Sequence, residues 1–262
     1  MAASQFCPVL VISLKDAEAR RRRIKDTLRS LEVYFQFIDA VDGRVSLDPE
    51  SESCLSRVAA RKALGRDMAD TEFACALSHC RAYEWMLANG ADGAVVLEDD
   101  AVPAPSVATL LGGNTLGQFD FVQFDYASAY IWRFVKSVKC SESGARFERM
   151  AVNSPLATGY YLSRRAARYL LDKANPVCLP ADWPCDLQPL QPYLTIPRLV
   201  FSWAQSEESS YLKGARDALR CNSIDHEVSD RGLGALQKRN QWPPGFRFWR
   251  RLLCRRLPKV PD

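Results

Sequence analysis

Ala94-Val-Val-Leu-Glu-Asp-Asp100 sets four apolar residues, two of them β-branched, directly before three carboxylates. The run is short and lies between Gly93 and Pro103, so it predicts a buried strand. The acids then fall at the strand's C-terminal end, where open α/β sheets bind their ligands. Three adjacent carboxylates repel one another, and a cation held among them relieves that repulsion. Oxygen ligands of this kind suit Mg²⁺ or Mn²⁺. The competing reading is a charged turn at the start of a helix beginning near Pro103.

Outward from this strand the pattern is α/β. Pro8 to Leu14 predicts a first strand, followed by a helix from Ala17 to Leu31 with Ile24, Leu28 and Leu31 on one stripe. Arg20 to Arg23 place four positive charges at the helix start, against its dipole, which suggests either phosphate binding or a solvated face. Tyr34 to Asp39 alternates like a second strand and ends in a turn, where Gly43 would permit a positive φ. This opening resembles a nucleotide-binding half of an α/β domain.

A short helix is expected around Leu55 to Leu64. A long one, capped by Asp70 or Thr71, is expected over Glu72 to Asn89 and closed by Gly90. Glu72 and His79 share a face across small Cys75 and Ala76, leaving room for a ligand; a core histidine satisfied by its neighbours is the bland alternative. With two histidines in the chain, a multi-histidine metal site is not expected.

Beyond the acidic strand end, Phe119 to Asp125 alternates like a strand, and a hairpin is expected around Ser141 to Gly144. Ala157 to Leu162 reads as a strand leading into a helix over Arg164 to Lys173. The proline-rich loop Pro176 to Pro192 carries Asp182 and Asp186 beside Trp183 and Cys185. A carboxylate in such a wall could have its pKa raised into the range of a general base, or it could simply cap a turn. Walker, Gly-x-Gly-x-x-Gly and Gly-x-Ser-x-Gly motifs are missing.

Composition sets outer bounds. The 262 residues, 47% hydrophobic and 25% charged, suit one soluble domain with appendages. No run reaches the length of a transmembrane helix, and the N-terminus lacks the pattern of a secretory signal. Nine cysteines without a Cys-x-x-Cys pair fit reduced thiols in a cytoplasmic setting. The net charge of +4 is uneven: Pro244 to Asp262 carries +5, so the rest is near neutral, against a broad nucleic-acid footprint. In that tail Phe246, Trp249, Leu253 and Leu257 would form one helical stripe, with Arg247, Arg250, Arg251 and Arg255 on another face. This is the pattern of an interfacial anchor on an anionic membrane surface, with packing on the body as the alternative. The expected division is a catalytic domain over 1–243 and a basic amphipathic tail over 244–262.

Several of these segments together resemble glycosyltransferase family 25. They are Val11-Ile-Ser-Leu14 followed by arginines, Phe37-Ile-Asp-Ala-Val-Asp-Gly-Arg44 and Glu72-Phe-Ala-Cys-Ala-Leu-Ser-His79. Leu97-Glu-Asp-Asp100, Thr158-Gly-Tyr-Tyr-Leu-Ser163 and Leu179-Pro-Ala-Asp182 follow in order. The family includes lipooligosaccharide galactosyltransferases of Gram-negative bacteria and relatives of the collagen galactosyltransferases. Ser13 departs from it, since Asn is usual after the first strand.

The resemblance implies a GT-A fold, a Rossmann-like mixed sheet flanked by helices. It also implies inverting, metal-dependent transfer of a hexose, galactose first and glucose second, from a UDP-sugar to a glycan hydroxyl. Glu98 and Asp100 would be the ligands of Mn²⁺ or Mg²⁺. Ser13, Arg20, Asp42, Gly43, Glu72, His79, Asp99, Thr158 and Gly159 would hold the donor nucleotide. Asp182 is the first candidate for the catalytic base and Asp186 the second. The acceptor would be a lipooligosaccharide or lipid-linked glycan, met at the inner face of the cytoplasmic membrane. The rival reading is a glycosyltransferase-like protein that binds a nucleotide sugar or glycan without turnover.

Overall fold

The computed structural model describes residues 7–203 and 252–257. Its frame is one mixed eight-stranded sheet flanked by helices. The first three strands are β1 (Val9–Ser13), β2 (Phe35–Asp39) and β3 (Gly93–Glu98). They pair in parallel with β1 in the middle, joined by α1 (Glu18–Ser30) and by α4 (Asp70–Ala88). Two short helices, α2 (Pro49–Ser53) and α3 (Arg57–Leu64), lie between β2 and α4. After β3 come β4 (Ala101–Pro103), α5 (Ser106–Gly112), β5 (Phe121–Gln123), β6 (Tyr130–Trp132), β7 (Val138–Lys139), β8 (Arg146–Arg149) and β9 (Gly159–Ser163). The chain continues through α6 (Arg164–Lys173), β10 (Tyr193–Ile196) and β11 (Val200–Ser202), and β12 (Cys254–Arg256) lies in the second described stretch. The sheet order is β2-β1-β3-β9-β5-β10-β8-β7.

Alternation along the central strands explains the layers. Val9, Val11, Val95 and Leu97 face one side and pack with Ile24 and Leu28 of α1 and Val107 and Leu110 of α5. Leu10, Ile12, Ala94 and Val96 face the other side, against Ala82, Tyr83 and Met86 of α4 and Ala166, Ala167 and Leu170 of α6. A strand covered on both faces must be apolar throughout, which is why the run in β3 is unbroken until Glu98.

Strand direction fixes where the site lies. β9 is antiparallel to both β3 and β5, so β3 and β5 run the same way, and β10 is parallel to β5. The ends of β1, β2, β3, β5 and β10 and the start of β9 therefore share one sheet edge. Ser13, Asp39, Glu98 and Thr158 are all brought to it.

Several local expectations are corrected. The strand expected over Phe119 to Asp125 is regular only at β5, because Phe124 turns its N–H to Gly159 and its carbonyl to Leu199. α4 is capped by neither Asp70 nor Thr71. Its first residue follows Ala69, whose N–H donates to the Glu72 carboxylate at 3.1 Å. Gly43 does not have a positive φ. It is glycine because a Cβ there would lie 2.4 Å from the Asp70 carbonyl oxygen and 2.8 Å from Ala74 Cβ.

The amphipathic helix expected over the tail fails at Cys254–Arg256, which pairs antiparallel with β6. Cys254 and Leu257 are buried, Leu257 in a small cluster with Tyr126, Ile131 and Met150. Phe246, Trp249 and the arginines before residue 252 lie outside the described residues.

Candidate active site

Glu98, Asp99 and Asp100 leave the end of β3 in three directions, and each finds different partners. Asp99 is buried and turns toward β1 and α1. It accepts from Ser13 Oγ at 2.7 Å and pairs with Arg20 at 2.5 Å. Burial still pushes its carboxyl above the usual range, against the pull of Arg20 and Ser13. Asp99 is thus held by this chain's own groups, and Ser13 serves it directly.

Asp100 faces the ribbon formed by β4 and β11, where Ser202 pairs with Ala101. Ser202 Oγ donates to Asp100 Oδ2 at 2.6 Å. The other oxygen, Asp100 Oδ1, is buried and has no hydrogen-bond partner among the described residues. Burial, and then the charge of Glu98, push this carboxyl up to about 7. A buried carboxylate oxygen with no donor, beside a second carboxylate, suits a hard divalent cation, so the oxygen ligands expected here fit one.

Glu98 is half-buried and faces α4. His79 Nε2 lies 3.2 Å and Cys75 Sγ 3.8 Å from Glu98 Oε1. Burial alone would raise the Glu98 carboxyl, but His79 and Arg20 hold it below the ordinary range. His79 is buried. Its Nδ1 sits 2.7 Å from Tyr160 Oη, which lies 2.8 Å from Tyr83 Oη. Tyr160 also stacks on Phe121 and meets Trp183 edge-on at 5.1 Å. The aromatic core thereby connects the loop carrying Asp182 to the ring of His79.

The remaining candidates separate into two groups. Thr158 is buried at the edge, where its carbonyl accepts from the Glu98 N–H. Gly159 lies under Val200, which leaves no room for a Cβ. Glu72, expected to face a ligand beside His79, instead makes a two-pronged pair with Arg66 at 2.7 and 2.8 Å and caps α4. That carboxylate anchors the helix. Asp42 is exposed and pairs with Arg44, which lowers its pKa and also reaches Asp16.

Three arginines in the first turns of α1 divide similarly. Arg20 holds Asp99 and Arg21 holds Asp39 along with the Ser13 and Leu14 carbonyls. Arg23 lies over the Trp203 ring at 4.5 Å.

Asp182 and Asp186 are both exposed, not enclosed by the wall that the loop composition suggested. Asp186 Oδ1 accepts from Gln188 N at 3.0 Å, the turn-capping alternative. Asp182 precedes buried Trp183, whose φ of 81° and 2.7 Å bond to the Ser154 carbonyl fix the loop at this point. A shallow cleft opens between α4 and residues 173–184, with His79, Tyr83, Leu179 and Pro184 in its walls.

Sequence reasoning passed over Ser202 and Trp203, whose roles arise from pairing across a hundred residues. It also passed over Asp125, fully buried against Arg198 at 3.0 Å. The signal for Asp125 was present: Phe121-Val-Gln-Phe-Asp125 is a second strand-like stretch ending in an acid.

Residues 6–184 match the model of Glycosyltransferase family 25 (LPS biosynthesis protein), and the chain belongs to that family. It is 30% identical over 174 residues to the lacto-N-neotetraose biosynthesis glycosyltransferase LgtE of Neisseria gonorrhoeae, covering 62% of this chain and 59% of that protein. A putative glycosyltransferase of Haemophilus influenzae is 25% identical over 175 residues, covering 66% and 60%. Procollagen galactosyltransferase 1-B of Xenopus laevis is 29% identical over 185 residues, covering 68% of this chain and 30% of that protein. The matched part thus spans about 60% of the bacterial relatives' length.

Proposed function

We propose that the chain is an inverting glycosyltransferase of GT-A architecture, moving a hexose from a UDP-sugar to a hydroxyl of a glycan. Galactose is the first donor sugar to test and glucose the second, in keeping with the galactosyltransferase among the relatives. The observation that carries the reading is the acidic strand end with Asp100 Oδ1 buried and unpartnered among the described residues. Asp100 and Glu98 would hold Mn²⁺ or Mg²⁺, and the bound ion supplies the counter-charge for the departing diphosphate.

The chain's own groups do the rest. Asp99, fixed by Ser13 and Arg20, sets the floor of the donor site. Thr158 and Gly159 place backbone at the same edge. Asp182, on the loop that Trp183 anchors, would take the proton of the acceptor hydroxyl as it attacks the anomeric carbon from the face opposite UDP. Its exposure suits a group that must meet a large acceptor. The acceptor would be a lipooligosaccharide or lipid-linked glycan, and the basic residues of the tail would meet an anionic leaflet there. Arg255 and Arg256 are exposed on β12, as such a contact requires.

The test is a screen of UDP-sugars with Mn²⁺, scored by UDP release with and without a glycan acceptor. UDP release with galactose or glucose donors supports the reading. Tight UDP-sugar binding with no release under any acceptor would mean a binding protein instead.

A further inference from the structure

We propose that Cys75, His79 and Glu98 form a binding site for a borderline-soft divalent cation of the zinc class, separate from the hard-cation position at Asp100. The three ligand atoms lie within 4.8 Å of one another. Cys75 and His79 are one helical turn apart on α4, so both side chains meet the end of β3 from the same face. Tetrahedral zinc, with bonds of about 2.0–2.1 Å to nitrogen or oxygen and about 2.3 Å to sulfur, sets N···O edges of roughly 3.4 Å and S···O edges of roughly 3.6 Å. The structure has 3.2 Å from His79 Nε2 to Glu98 Oε1 and 3.8 Å from Cys75 Sγ to the same oxygen. Both edges to Glu98 Oε1 therefore lie within a few tenths of an ångström of those an ion requires, and the remaining pair, Cys75 Sγ and the His79 ring nitrogen, is within 4.8 Å.

An independent observation concerns the outer face of His79. Ligating histidines are oriented by a hydrogen bond on their second ring nitrogen. Here Nδ1 is bound to Tyr160 Oη, itself bound to Tyr83 Oη, and both tyrosines are buried. This network leaves Nε2 as the coordinating atom. Three protein ligands leave a fourth position for water or a substrate oxygen. Thiolate and imidazole ligands favour zinc over magnesium or manganese, whereas Asp100 offers oxygen alone. Binding takes Cys75 as the thiolate, its proton passing to solvent. Because Glu98 serves both positions, zinc at the trio withdraws it from the hard-cation site.

The proposal does not depend on the transferase reading, since it is tested without a sugar nucleotide. Metal-stripped full-length protein is titrated with Co²⁺, whose thiolate charge-transfer absorption reports a sulfur ligand. One equivalent of Co²⁺ should give that band, and one equivalent of Zn²⁺ should displace it. Cys75→Ser should abolish the band, while Asp100→Asn should keep it. Tyr160→Phe, which removes the hydroxyl that orients His79, should weaken Zn²⁺ binding about 10–100-fold. Circular dichroism on each variant checks that it is folded. No band in the wild type, a band surviving in folded Cys75→Ser, or its loss in folded Asp100→Asn would each overturn the proposal. If Cys75→Ser does not fold, Cys75→Ala and the stoichiometric loss of one iodoacetamide-reactive thiol on Zn²⁺ addition decide the matter. Undiminished labelling at Cys75 in the presence of Zn²⁺ would then refute it.

Discussion

Replacing Asp100 by asparagine should stabilise the protein in the absence of metal, and only at high pH. In the fold the Asp100 carboxyl is raised to about 7 by burial and by Glu98, from an ordinary value of 3.8. A carboxyl raised on folding makes the folded state bind more protons, so stability falls as pH climbs from about 4 to about 7 and stays reduced above that. At about pH 8 the ionised group costs about 4 kcal/mol as an upper bound, and at about pH 5 only about 1.5–2 kcal/mol. The substituted asparagine would accept the Ser202 hydrogen bond through its amide oxygen, but its NH₂ would replace Oδ1 in a position without a partner. That burial costs about 1–3 kcal/mol at either pH. The net gain at pH 8 is therefore small, whereas the difference between the two pH values is about 2–3 kcal/mol and is independent of the amide penalty. Urea unfolding of the wild type and Asp100→Asn, in EDTA at both pH values, measures it. Equal changes in unfolding free energy at pH 5 and pH 8 would refute the claim that Asp100 ionises at a cost in this fold. In the same variant Mn²⁺-dependent UDP release should be lost, and retention of near wild-type turnover would remove Asp100 from the metal site.

Asp182→Asn should lower turnover by roughly 10²–10⁴-fold with little change in UDP affinity, measured by steady-state kinetics and calorimetry; a matching loss of UDP binding would place Asp182 in the donor site. Gly43→Ala should destabilise the fold by about 1–3 kcal/mol in chemical denaturation, because its Cβ meets the Asp70 backbone, which cannot give way as a flexible side chain would. A chain ending at residue 251 loses β12 and the burial of Leu257, so its melting temperature should drop by several degrees; an unchanged value would show that the β6–β12 pairing contributes nothing. Charge reversal at Arg247, Arg250 and Arg251 tests membrane contact without disturbing that strand: sedimentation with anionic liposomes at low salt should fall, and unaltered sedimentation would discard the contact.

What was legible in the sequence followed from periodicity. The strand over 94–98 and the helix over 164–173 were readable because burial on both faces or on one stripe imposes an apolar pattern. The acidic strand end was legible for the same reason, since charge following a fully buried run has to stand at the sheet edge. What could not be read were partnerships made across the fold. Nothing around Ser202 or Trp203 announces that β11 folds back on β4 and delivers them to Asp100 and Arg20. Arginines at the start of α1 looked available for phosphate, but Arg20 and Arg21 are paired with Asp99 and Asp39 from distant strands. Glu72 looked like a ligand because its face was known and its partner Arg66 was not. In the tail, apolar residues recur at helical spacing, but within the described residues Cys254–Arg256 pairs with β6 instead. β12 and β6 form a two-stranded sheet apart from the main one, and Leu257 is buried just after it.

The three carboxylates also show how one stretch serves stability and function at once. Asp99 is engaged by Ser13 and Arg20, which offset part but not all of the cost of burying it at the strand end. Glu98 is held ionised by His79 across the α4–β3 contact. Asp99 and Asp100 are both raised by burial, Asp100 up to about 7, and of the three only Asp100 keeps a buried oxygen without a donor among the described residues. If the triplet were a helix-start turn, its acids would cap backbone N–H groups, as Asp48 does for Ser51 at α2. None does so among the described residues. α5 begins only at Ser106, and its preceding residue, Pro105, makes no side-chain cap. The cost at Asp100 is therefore not that of a helix cap, which supports the proposed cation site. A cation at Asp100 would convert the least favourable charge in the sheet edge into its strongest contact.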